Sequence, residues 1–191
     1  LSIAKKYNLK IIEDAAQAMG AYHKNLHAGS FSEVAAFSTH PLKNLNALGD
    51  GGFITTNNKK IYEKIKLYRN HGIKKRDYVE VYGVNSRLDV INAEILKFKI
   101  KKLKSINQKR KLNIDLYRDN LNSRLIEIPE DKKNEINSHV MFLVKAEKRN
   151  ELQKYLSKNK IQSLIYYGTP LHLHHATKDL GYKKGSLPVS E

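Results

Sequence analysis

Three side chains in the first quarter of the chain could do chemistry together: Asp14, Ser38 and Lys43. Lys43 is the only basic residue between Asn25 and Asn58, in a chain with 35 Lys and Arg among 191 residues. Its neighbours are small or apolar, in the run Phe37-Ser38-Thr39-His40-Pro41-Leu42-Lys43-Asn44-Leu45. Partial desolvation of such a lysine disfavours the ammonium, so the amine can act as a nucleophile or as a Schiff-base partner for a carbonyl. An exposed loop lysine is the plainer alternative, and spacing alone does not separate the two.

The neighbouring elements narrow the choice. Asp14 closes a short apolar run after a lysine-rich helical stretch, so it stands at the end of a strand. Ser38 follows a second strand candidate over 34–37, and Lys43 comes five residues later. In open α/β sheets, ligands bind at the carboxyl ends of strands. An amine for an aldehyde, a carboxylate to keep a pyridine nitrogen protonated, and hydroxyls and amides for a phosphate are what pyridoxal phosphate (PLP) requires of a protein. Asp, Ser and Lys are common, so spacing by itself leaves this open.

The ordered strings are more specific. Glu13-Asp14-Ala15-Ala16-Gln17-Ala18, Ser38 with Lys43-Asn44-Leu45, Gly49-Asp50-Gly51-Gly52, Asn70-His71-Gly72 and Gly83-Val84-Asn85-Ser86-Arg87-Leu88-Asp89 follow one another. Together they resemble the DegT/StrS-type sugar aminotransferase family of PLP enzymes, and the resemblance extends to Tyr166-Tyr167 and Pro170-Leu171-His172. It implies an α/β, aspartate-aminotransferase-like (fold type I) structure, with part of a large domain followed by a small α+β lobe. It implies Lys43 as the Schiff-base lysine, Asp14 as the pyridine-nitrogen partner, Gln17 against the cofactor ring and Ser38 on the phosphate. Asn85 matches the asparagine that reaches the phosphate in the neighbouring subunit of a homodimer, so the site would be shared. Arg87 and His172 match positions near the substrate or the subunit boundary.

The implied reaction moves an amino group, with L-glutamate as donor, to a nucleotide-linked keto-sugar in surface polysaccharide or deoxyaminosugar biosynthesis. Two alternatives remain: a degenerate PLP-binding or regulatory relative, and a PLP-dependent sugar dehydratase. Dehydratase relatives carry histidine in place of the lysine, so Lys43 argues against the second. Thr39 stands where the family often has an aromatic residue, and Asp50 where Glu is commoner.

The positioning elements are expected as follows. Strands are expected over 10–13, 34–37 and 52–56, then a helix capped by Asn57-Asn58 and stopped near Gly72. Asp89 is the expected N-cap of one long helix running towards Tyr117. Strands over 125–128, 140–144 and 161–167 surround a helix over 148–157. This places a large-domain portion with its connecting helix at 1–120 and a small lobe at 121–191.

Composition excludes several classes. The net charge of +16 rests mainly on lysine, only seven of the 35 basic residues being Arg, and no nucleic-acid motif appears. A solvated lysine-rich surface is the reading adopted, with neither nucleic acid nor membrane as a partner. Cysteine is absent, which excludes disulfides and thiolate zinc sites and makes a reducing cytoplasm the default. His172, His174 and His175 read as exposed loop histidines rather than metal ligands. By the resemblance, the start of the large domain and the end of the small one lie outside Leu1 to Glu191, and the chain alone is not expected to complete a site.

Overall fold

The computed structural model describes residues 1–121 and 124–191, which divide into two compact units, Leu1–Val144 and Lys145–Glu191. The first unit is built on a short sheet. Helix α1 (Ser2–Lys6) leads into β1 (Ile12–Asp14), and a hairpin of β2 (Tyr22–His23) and β3 (Leu26–His27) precedes β4 (Val34–Ser38) and β5 (Gly52–Thr55). The central strand is β4. It pairs in parallel with β1, Asp14 opposite Ala36, and antiparallel with β5, Ser38 opposite Gly52. The sheet is therefore parallel on one side of β4 and antiparallel on the other.

Alternation on β4 decides which way the sheet faces. Ala35 and Phe37 are buried, while the side chains between them point the other way. Phe37 stacks on Phe53 across the strand pair, ring centroids 4.9 Å apart. Ala15, Met19, Leu45, Ala47 and Leu96 complete the core on that face, with Ala18, Phe53, Leu88 and Leu103 packed against it. The opposite face carries Ile12, Asp14, Ala36, Ser38 and Ile54, with Ile12 and Ile54 exposed.

Helix α2 (Lys59–Tyr68) starts where expected, its Asn58 side chain accepting from the amides of Lys60 and Ile61. A second hairpin, β6 (Ile73–Lys75) with β7 (Tyr78–Val79), follows Gly72. Gly72 is required there by a left-handed φ of 69° and by the Val81 carbonyl, 1.7 Å from where a Cβ would stand. The single long helix expected after Asp89 is instead two, α3 (Val90–Ile100) and α4 (Leu103–Asn120), and Asp89 makes no side-chain cap. The break has no Gly or Pro; it lies between Leu96 and Leu103, which both pack on the core.

Beyond α4, β8 (Ile126–Glu127) is followed by β9 (Glu135–Ile136), which pairs with β2. Segment 126–144 is thereby part of the first unit, although the expected join lay after residue 120. Arg118 binds Asp131 at 2.8 Å, and Tyr117 stacks on Phe142. The strand expected over 140–144 is absent. Arg110 Nη1 donates to the carbonyls of His139 and Val140, so side chains rather than a ladder hold this stretch.

The second unit holds β10 (Lys145–Ala146), α5 (Arg149–Lys158) and two short 3₁₀ turns, Leu171–Leu173 and His175–Leu180. Segment 161–167 is not a strand either. It is largely exposed and ends on Tyr167 at a left-handed φ of 53°.

Candidate active site

Parallel pairing of β1 with β4 puts Asp14 and Ser38 on the same face at the carboxyl ends of adjacent strands. Ser38 lies two residues past Asp14's partner Ala36, so their Cα atoms are about 8 Å apart by strand geometry. Asp14 is exposed, and its Oδ1 accepts the Ala16 amide at 3.0 Å. The Ser38 hydroxyl oxygen accepts the His40 amide at 3.3 Å, so its own proton remains available to donate.

Lys43 occupies the first turn beyond β4. Its amide donates to the His40 carbonyl, and the turn is closed at its base by Ala47 N–H to the Thr39 carbonyl, both at 2.8 Å. The side chain is half-buried, and no hydrogen bond or ion pair holds its ammonium among the described residues. Helix α3 grips the turn from outside: Lys99 Nζ donates to the Asn46 carbonyl and Oδ1, and the Asn46 amide donates to the Pro41 carbonyl.

Gln17 is exposed in the loop after Asp14, and its carbonyl accepts the Ser138 hydroxyl at 2.6 Å. Asn85 and Arg87 form an exposed pair of their own, Arg87 Nε donating to Asn85 Oδ1 at 2.9 Å. Asn85 also bridges to Asn70 at the end of α2. His172 belongs to the second unit. It is not the exposed histidine expected: it is 8% exposed, its Nε2 lies 2.9 Å from Glu191 Oε1, and Tyr182 packs edge-on. Gly185's amide and His172 hold the Glu191 carboxyl below its usual range. Among the described residues, no group of three or more His, Cys, Asp or Glu could hold a metal, and no helix is long and apolar enough to cross a membrane.

Several contributors are invisible to motif spacing. Glu13 turns to the core face of β1 and accepts the amides of Gly29 and Phe31, pinning the loop before β4. Asn44 is 3% exposed and donates to Asn107 Oδ1 and the Ser138 carbonyl. Thr39 Oγ1 is completely buried, with no hydrogen-bond partner among the described residues. The sequence places Asn44 directly after Lys43, inside one of the ordered strings, and marks none of its partners.

The donor set suits PLP: a carboxylate, a hydroxyl and an amine held by no hydrogen bond or ion pair among the described residues, at one end of the sheet. The model of the DegT/DnrJ/EryC1/StrS aminotransferase family matches residues 1–191. The erythromycin biosynthesis sensory transduction protein EryC1 of Saccharopolyspora erythraea is 40% identical over 191 residues, covering 100% of this chain and 52% of that protein. The dTDP-3-amino-3,6-dideoxy-alpha-D-galactopyranose transaminase of Aneurinibacillus thermoaerophilus is 40% identical over 189 residues, covering 99% of this chain and 52% of that protein. The crystal structure of S. venezuelae DesV in complex with a ketimine intermediate superposes with a TM-score of 0.93 at 35% identity, covering 99% of this chain and 51% of that one. This chain thus spans about half the length of the relatives it matches.

Proposed function

Because the chain belongs to the DegT/DnrJ/EryC1/StrS aminotransferase family, we propose that its protein is a PLP-dependent aminotransferase acting on a nucleotide-linked keto-sugar. The observation that carries this reading is the placement of Asp14 and Ser38 at the ends of adjacent parallel strands, with Lys43 in the first turn beyond. When bound, PLP supplies a reactive aldehyde and a pyridine ring that accepts electrons from a breaking Cα–H bond. Lys43 would hold the aldehyde through its amine and would move the proton at the amino donor's Cα, as general base and then acid. Asp14, whose Oδ1 accepts the Ala16 amide, would face the ring nitrogen and keep it protonated. Ser38, whose oxygen accepts the His40 amide, would donate its hydroxyl proton to the phosphate.

L-glutamate is the proposed amine donor. A homodimer, in which the exposed Asn85 reaches the partner's site, is the proposed assembly, with the cytoplasm as its compartment. Arg87 and His172 are the proposed substrate-side groups. A relative named for sensory transduction supports a second, regulatory reading. Intact Asp14, Ser38 and Lys43 favour the enzyme. The test is full-length protein with PLP, glutamate and a panel of nucleotide 3-keto and 4-keto-sugars. Glutamate-dependent bleaching followed by amination of one sugar supports the proposal. Bleaching without any amination defeats the substrate class, and no spectral change with any amine donor defeats the enzyme reading.

A further inference from the structure

Lys43 reaches its target on a flexible four-carbon stem, so the backbone beneath it must be fixed if the amine is to meet a carbonyl held by other residues. The structure fixes it through the next side chain. Asn44 Nδ2 spends both hydrogens inside the protein: one goes to Asn107 Oδ1 on α4 at 2.8 Å, the other to the Ser138 carbonyl. Both partners pass the connection on. Asn107 Nδ2 donates to the Met19 carbonyl at 3.1 Å, and the Ser138 hydroxyl donates to the Gln17 carbonyl at 2.6 Å. Two short polar paths therefore run from the residue after Lys43 to the loop that begins at Asp14. Close packing seats one of them, because a Cβ on Gly20 would stand 2.3 Å from Asn107 Nδ2.

Both paths start dry and reach the loop through part-buried groups. Asn44 is 3% exposed and Ser138 5%, so at the Asn44 end water cannot replace a broken bond without opening the core. Asn44 Oδ1 is buried with no partner among the described residues, a cost that an apolar side chain of similar size would avoid. Packing alone therefore does not account for an amide here, whereas its two donors do.

We infer that Asn44 is a positioning residue for Lys43: through Asn107 and Ser138 it sets the placement of the Lys43 turn against the loop carrying Asp14 and Gln17. The inference rests on Lys43 being the carbonyl-binding amine. It assigns no contact with cofactor or substrate to Asn44.

The test uses full-length wild type, Asn44→Ala, Asn107→Ala and Ser138→Ala, with PLP as the probe. Total bound PLP is measured by release on denaturation. The covalent share is measured from absorbance and from the borohydride-reduced Lys43 peptide, and apoprotein unfolding is followed in parallel. Asn107→Ala keeps a strong helix former on α4, so it carries the test should Asn44→Ala not fold. At saturating PLP, the ratio of covalent to non-covalent PLP is expected to fall about tenfold in Asn44→Ala and Asn107→Ala, and less in Ser138→Ala. A purely structural role would lower the unfolding midpoint and leave that ratio at the wild-type value, and this result overturns the inference. Wild type that never attaches PLP at Lys43 would sink the functional reading and this inference together.

Discussion

Alanine at each glycine of Gly49-Asp50-Gly51-Gly52 adds one methyl group to three different surroundings. None of the three has a left-handed φ, so space alone decides the outcome. At Gly49 nothing lies within 4 Å of the added Cβ. Gly49→Ala should be neutral or stabilise by about 0.5 kcal/mol, by restricting the unfolded chain. At Gly51 the methyl would stand 2.8 Å from both Leu88 Cδ1 and Thr39 Oγ1. Ordinary contacts lie near 3.5–4.0 Å, so each must open by roughly 0.7 Å or more. Leu88 is half-buried and can turn; Thr39 is completely buried and stiff at χ1. Gly51→Ala should therefore cost about 1–3 kcal/mol, and adding Leu88→Ala should recover about 1 kcal/mol as a favourable coupling. At Gly52 the obstacle is backbone, the Phe37 carbonyl oxygen at 2.4 Å, so β5 must leave β4 beside Ser38. That substitution should cost about 3 kcal/mol or more. Urea unfolding at constant m reads these four variants and the Leu88→Ala single that the coupling requires. Equal losses at 49, 51 and 52, or the largest loss at 49, would refute the reasoning.

Stability should fall with pH in two steps. Burial pushes His139 below its ordinary 6.5, and the Arg118 hydrogen bond holds Asp131 below 3.8. In both cases the unfolded chain binds more protons between the two values, so stability is lost below about pH 6.5 through His139 and again below about pH 3.8 through Asp131. His139→Gln should flatten the decline of the urea midpoint between about pH 7 and pH 5; an unchanged slope would contradict this. Asn58→Ala should cost about 1 kcal/mol by removing the cap of α2, with Asn58→Asp close to wild type, read by the same unfolding assay.

Local signals made the site's frame legible. The apolar run over 34–37 located β4, the apolar run ending at Asp14 located β1, and Asn58 marked the start of α2. What escaped the sequence depends on distant partners. The α3–α4 break answers to packing of Leu96 and Leu103 on the core, with no local breaker residue. Segment 140–144 has strand-forming residues, but Arg110 holds two of the nearby carbonyls instead of a neighbouring strand. Asn44, Asn107 and Ser138 meet across separations of 63 and 94 residues, and asparagine and serine are too common to flag such a network. His172 looked like a loop histidine because Glu191, its partner, lies 19 residues away.

Lys43 is the proposed amine that binds the cofactor's aldehyde. The most direct measurement of this is borohydride reduction of the full-length protein saturated with PLP, followed by peptide mapping. One reduced pyridoxyl group is expected on the peptide containing Lys43, and it should be lost in Lys43→Ala. Attachment at any other lysine, or attachment that survives Lys43→Ala, would contradict it.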